Sequence, residues 1–156
     1  VGRFLDLDVT LKAVRPTVKR RFLLDDGATL VDLYAALRDA FGWSGTRTFE
    51  TWRGEPDGGP LASAGDPGAA RTRLSDLLEA GARSLVVVYD PDAWWEHVVT
   101  LKRVRELPLE ASRRLAGGRG AAPPEACGGL AGYEALRAAG TLPELDLDDL
   151  RSTFDA

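Results

Sequence analysis

From Leu5 to Leu11 apolar and polar residues alternate without a break, with Leu5, Leu7, Val9 and Leu11 on one side and Asp6, Asp8 and Thr10 on the other. A period of two belongs to a strand with one buried face. Arg15-Pro16 interrupts the pattern, and Thr17 to Leu24 then resumes it with β-formers at its ends, so the two segments are expected to pair as an antiparallel hairpin. The period changes after the turn Asp25-Asp26-Gly27. Leu30, Leu33, Tyr34, Leu37 and Phe41 recur at helical spacing, with Thr29 placed to cap the start of a helix and Gly42 to end it.

Arg47 to Arg53 reads as a third strand, and Gly54 to Ala70 as a surface loop dense in Gly, Pro, Ala and Asp, long enough to be either mobile or functional. Leu74, Leu77 and Leu78 predict a short helix, and Ser84 to Asp90 a buried strand. Pro91-Asp92 turns the chain into another strand, where Trp95, His97, Val99 and Leu101 alternate with Glu96, Val98 and Thr100. Gly117 to Gly129 is rich in Gly, Ala and Pro, and Tyr133 to Ala139 and Leu147 to Phe154 read as short helices before an acidic tail. This order predicts an α+β fold: a β-grasp-like, mixed or antiparallel sheet packed on one main helix. One domain is expected over residues 1–156, with its core in 3–105 and a C-terminal wrap of short helices in 106–156.

Composition narrows the class. Hydrophobic residues make up 44% of the chain and charged residues 28%, which is the range of a folded globular domain. Cys127 is the single cysteine, so no internal disulfide and no zinc site built on several thiolates of this chain can form, and a reducing, cytoplasmic location is expected. No apolar run is long enough to cross a bilayer, so no membrane association is expected. A net charge of −4 argues against broad attraction to nucleic acid. Basic residues nevertheless cluster, with Lys12, Arg15, Lys19, Arg20 and Arg21 on the first hairpin and Lys102, Arg103 and Arg105 on a later strand. Methionine is absent even at position 1, which suggests a trimmed chain or a segment of a larger protein.

Few residues carry chemistry. His97 is the only histidine, so any general-base chemistry near neutral pH passes through it. Its strand face, shared with Trp95, Val99 and Leu101, instead suits a packed, hydrogen-bonded core residue. Cys127, before Gly128-Gly129, is a nucleophile only if it meets His97; otherwise it is an inert thiol. The basic cluster is either a cationic face for phosphates or a solvated sheet face partly neutralised by Asp6 and Asp8. Trp94 and Trp95, adjacent in a strand, must point to opposite sides, so one of them is exposed or covered by another element. The glycine-rich stretches 54–59 and 117–120 lack the Gly-Lys-Ser/Thr ending of a phosphate loop, and no cofactor is indicated.

Three stretches together resemble a known family. Thr10 to Trp43 is similar to an opening hairpin with an Arg-Arg pair, a helix and a closing Gly-Trp; Tyr89 to His97 looks like a Tyr-Asp…Trp-Glu-His stretch; Ala122 to Leu136 is similar to a Cys-Pro-Pro-Glu-Asp-Cys-Gly-Gly block followed by Gly-Tyr. Together they resemble the plasmid pRiA4b ORF-3-like family, whose members accompany plasmids and insertion elements and whose name implies a fold more than an activity. The departures are Arg47 in place of a His, Ala122 in place of the first cysteine of the Pro-Pro block, and Leu115 in place of an earlier cysteine. If the family's Cys and His residues hold a metal, only Glu96, His97, Glu125 and Cys127 remain here as ligands, and no metal site is expected.

With no complete catalytic set, the expected function is a non-catalytic binding module with a protein or peptide partner, using Trp94, Trp95, Glu96 and His97. A nucleic-acid-associated accessory protein using Lys19, Arg20 and Arg21 is the second candidate. A small enzyme centred on Glu96, His97 and Cys127 is the third.

Overall fold

The computed structural model describes residues 2–53, 61–78 and 84–155. The chain runs β1 (Gly2–Leu11), β2 (Lys19–Asp25), α1 (Leu30–Phe41), β3 (Phe49–Arg53), β4 (Ala62–Ser63), α2 (Leu74–Leu77), β5 (Ser84–Tyr89), β6 (Trp95–Leu107), β7 (Arg113–Arg119), α3 (Gly129–Ala138) and α4 (Leu147–Phe154). The strands form a seven-stranded sheet in the order β4-β3-β5-β6-β1-β2-β7.

Register explains why the alternation in β1 matters. Leu5, Leu7 and Val9 face Leu24, Phe22 and Arg20 across β2, while Leu7, Val9 and Leu11 face Leu101, Val99 and His97 across β6. The same row structure continues outward, with Val99 opposite Leu85, His97 opposite Val87 and Trp95 opposite Tyr89. Paired residues share a face, so these side chains form one continuous wall. Onto that wall α1 lays Leu30, Leu33, Tyr34, Leu37 and Phe41, all buried. The helix begins where the sequence places it. Thr29 and Asp32 form a reciprocal capping box, and Gly42 ends the helix in the left-handed region at φ 75°.

Every named strand pairing is antiparallel, so the mixed sheet does not occur, and with β1 and β6 antiparallel at the centre the β-grasp arrangement is not supported. The expected surface loop at 54–70 contains β4, which pairs with Glu50 and Thr51 of β3; residues 54–60 of that loop lie outside the described residues. The C-terminal segment is more than a wrap of helices. It contributes β7, which pairs with β2 and completes the sheet, and β6 itself runs to Leu107. The helices that follow do cover the core: Tyr133 of α3 and Phe154 of α4 are buried, and Phe154 meets Phe22 at 5.3 Å between ring centres.

β7 escaped sequence reading because its glycines resemble a loop, and at one of them, Gly118, the reason for glycine is Arg20. This residue alternates onto the core face, where it is 1% exposed, rather than onto the basic surface expected from its neighbours. Its Nε–H donates to the carbonyl of Ala40 near the end of α1, and Nη1 donates to Lys19, Arg119 and Gly120 carbonyls. Its guanidinium carbon lies 5.0 Å above the Phe41 ring. Burial lowers its pKa to about 10, which leaves it cationic at neutral pH. A Cβ at Gly118 would fall 2.9 Å from Arg20 Cδ and 3.0 Å from the Lys19 carbonyl oxygen, so the strand carries glycine where the buried arginine crosses it.

Removing the guanidinium strands the buried Ala40 carbonyl, at a cost on the order of 1–3 kcal/mol, and loses hydrogen bonds to three part-buried carbonyls and the packing on Phe41. Arg20→Ala is therefore expected to lower unfolding free energy by about 3 kcal/mol or more, read as a shift in urea midpoint. Gly118→Ala is expected to cost about 1–3 kcal/mol by overpacking. A Gly118→Ala protein with an unchanged midpoint would contradict this packing.

Candidate binding face

The face of the sheet away from α1 carries the other half of each strand's side chains. One of its rows reads Trp52, Val86, Val98, Thr10, Lys19 and Arg119 across β3, β5, β6, β1, β2 and β7. At the β3–β5 end Trp52, Val86 and Val88 form a small apolar cluster of their own, to which no described helix contributes a residue. Trp94 stands over it. Its ring lies 5.4 Å from that of Trp52, its Nε1–H donates to Glu96 at 2.9 Å, and it remains 42% exposed. Glu96 also takes the Lys12 ammonium at 3.1 Å. The backbone at Trp94, just before β6 begins, is left-handed, at φ 62°, a conformation seldom adopted by a bulky residue. The buried indole N–H of Trp52 has no acceptor among the described residues.

At the β1–β2 end the same face is charged. Asp6 is fully buried, with Arg21 at 2.6 Å, Arg103 at 3.4 Å and Arg105 at 4.0 Å. The hydrogen bond from Arg21, opposed by burial and helped by the three positive charges, holds the Asp6 carboxyl below the usual carboxylate range. Asp8 pairs with Lys19 at 3.6 Å and Lys102 at 4.0 Å. The two basic strands thus flank β1, whose carboxylates sit between them.

The opposite face fixes Trp95 and His97. Trp95 is 2% exposed and stacks on Trp43 at 6.1 Å. The Nδ1 of His97 lies 2.9 Å from the Val87 carbonyl, and Trp43 Nε1–H points at His97 Nε2 over 3.4 Å. A carbonyl only accepts and an indole N–H only donates, so Nδ1 carries the proton and Nε2 is the acceptor. Burial lowers the pKa of His97 to about 4, against weaker opposition from backbone hydrogen bonds. Glu96 and His97 therefore leave β6 on opposite faces. The Cys127 sulfur is near the Gly129 carbonyl at 3.6 Å, and burial raises its thiol pKa. Among the described residues no group of three His, Cys, Asp or Glu side chains is placed to hold a metal ion.

Sequence reading missed Glu125 as a structural centre. Its carboxylate accepts from the Ser44 N–H at 2.8 Å, and from the hydroxyls of Ser44 and Tyr89, each at 2.5 Å. Burial opposes the charge, but these hydrogen bonds outweigh it and lower the carboxyl pKa. Trp43 also stacks on Tyr89 at 5.4 Å, and Trp95 meets Tyr133 edge-on at 6.4 Å. Beside this network a cleft of about 500 Å³ is bordered by Arg47, Asp90, Glu125 and Gly129, with Arg47 and Asp90 at 4.0 Å. The Gly-Trp, Trp-Glu-His and Pro-Pro-Glu-Ala-Cys-Gly-Gly stretches, remote in sequence, are thereby held together at one end of the sheet.

Residues 3–151 match the plasmid pRiA4b ORF-3-like protein family, nearly the whole chain and all three of those stretches. The chain belongs to that family. It is 33% identical over 138 residues to the uncharacterized protein y4hQ of Sinorhizobium fredii (strain NBRC 101917 / NGR234), covering 86% of this chain and 71% of that protein. Its fold is similar to that of a protein of unknown function, MM3350 from Methanosarcina mazei Go1. The TM-score is 0.76 at 25% identity, over 88% of this chain and 81% of the other. No helix among the described residues of this family member is long and apolar enough to cross a membrane.

The lone histidine gives a clean pH test. The unfolded state takes a proton on His97 near pH 6.5 and the folded state only near 4, so the unfolded state binds more protons between them. Stability is therefore expected to fall as pH drops through this window, by about 3 kcal/mol in all. Urea midpoints measured from pH 7 to 4 should show that slope, and His97→Phe should flatten it while lowering stability at pH 7. An unchanged slope in His97→Phe would assign the titration to other groups.

Proposed function

We propose that this member of the pRiA4b ORF-3-like family is a non-catalytic binding module that engages a protein or peptide through the open face of its sheet, with Trp94 as the anchor. The observation that carries this reading is a tryptophan 42% exposed above an apolar cluster on a sheet face that no described helix packs against. Large aromatic side chains in that situation are the usual energetic centres of interfaces. The edges of the sheet lend less to strand addition. β4 has two residues, and part of β7 is engaged by α4, where Arg151 donates to the Leu115 and Ala116 carbonyls and Asp155 accepts from the Leu115 N–H.

The binding role thus moves from the four residues Trp94, Trp95, Glu96 and His97 to Trp94 and Glu96, with Trp52 beneath them. Trp95 and His97 support the face from the core side. The basic-hairpin reading has less behind it, because Arg20 is buried on backbone carbonyls, while Arg21 and Lys19, partly exposed, are already paired with Asp6 and Asp8 and so leave the hairpin itself little unshared charge. An enzyme centred on Glu96, His97 and Cys127 has less still, since Glu96 and His97 face opposite ways and both nitrogens of His97 are occupied.

Affinity purification from the native host, with native and Trp94→Ala proteins side by side, tests the reading. The expected outcome is a reproducible protein partner that is lost, or reduced about tenfold or more, with Trp94→Ala. Recovery of the same partners by both proteins, or of nucleic acid alone, would overturn it.

A further inference from the structure

Resting on that reading, we infer that the segment bound on the open face is an acidic peptide with an apolar or aromatic residue at one end, laid from Trp94 toward Arg103 and Arg119. The charge balance of the face carries this. Around Asp6 and Asp8 stand Lys19, Arg21, Lys102, Arg103 and Arg105, so the ion-paired cluster alone is cationic in excess. Arg114 and Arg119, opposite Leu23 and Lys19 in register, add two more exposed cations on the same face. Fully burying Asp6 leaves its partner Arg103 directed outward, 61% exposed in its side chain, and beside it Lys102, paired with Asp8, is 55% exposed. This surplus sits on a protein whose net charge is −4, so it is a local feature of one face.

Geometry selects a peptide over a nucleic-acid strand. The row from Trp52 to Arg119 runs over six strands, and the five gaps between them, at about 4.8 Å each, give a span of about 24 Å, the reach of about seven extended residues. Aromatic and cationic zones lie at opposite ends of that span. A base stacked on Trp94 would bring its phosphate beside Glu96 and Glu50, whereas single-strand platforms interleave stacking rings with positive charge. A chain with an apolar residue at one end and carboxylates at the other matches both zones.

The test is selection from a random 12-residue peptide library displayed on phage, with the intact protein as bait, followed by fluorescence anisotropy of selected peptides. Enrichment of Asp and Glu together with an apolar or aromatic residue is expected, with affinity falling as salt rises. The double substitution Arg103→Glu and Lys102→Glu should weaken those peptides about tenfold or more, with circular dichroism confirming the native fold; both residues are surface positions. Selected peptides without acidic enrichment, or unaffected by the charge reversal, would overturn the inference. If such peptides still lose binding with Trp94→Ala, the binding-face reading stands while the acidic partner falls. If no peptide is selected, or if a 15-nucleotide oligothymidine binds the same face more tightly than every selected peptide, the inference falls as well.

Discussion

A strand alternates its side chains, and every residue given to one face of a sheet places its neighbour on the other. In this protein the wall formed by Leu7, Val9, Phe22, Val87, Val99 and Leu101 is pressed against α1, so Asp6, Asp8, Arg21, Val86, Val88 and Val98 are left on a face with no described helix over it. The rest of the molecule manages that asymmetry. Charges are tied into a network at one end, and at the other two tryptophans shelter the valines of β5.

Holding the covered face together requires one expensive arrangement. Arg20 is a buried cation with carbonyls rather than a carboxylate for company. Desolvating a guanidinium costs several kcal/mol unless its donors are satisfied. What it gains is a connection between three pieces of chain: the end of α1, β2, and the end of β7. Gly118 of β7 follows from that choice, and α4 packs against the same spot, with its Leu147 side chain 3.2 Å from where a Gly118 Cβ would be.

Much of the fold was legible where one period runs uninterrupted. The capping box at Thr29, the helix to Phe41, the alternation of β1 and the opposite directions of Trp94 and Trp95 are all local properties of sequence, and each has its place in the structure. Arg20 and β7 were not legible, for a linked reason. An arginine in a basic run reads as surface, and Gly117-Gly118 reads as loop, until Arg20 is seen to fill the space that a side chain at Gly118 would need. The role of Glu125 was hidden similarly, since its partners Ser44 and Tyr89 are 81 and 36 residues away. A hint that both faces of the sheet are sheltered at this point was available in β5: five apolar residues in succession, Leu85 to Tyr89, are all buried, and only one face can be sheltered by α1.

The most direct measurement of this two-faced construction is oxidative footprinting of the four tryptophans in the purified protein, read by mass spectrometry as a rate for each residue. Trp94 should react many times faster than Trp43, Trp52 and Trp95, which are 4%, 6% and 2% exposed. A Trp94 as protected as Trp43 and Trp95 would mean that the open face is already covered, and would contradict its role as a free binding surface.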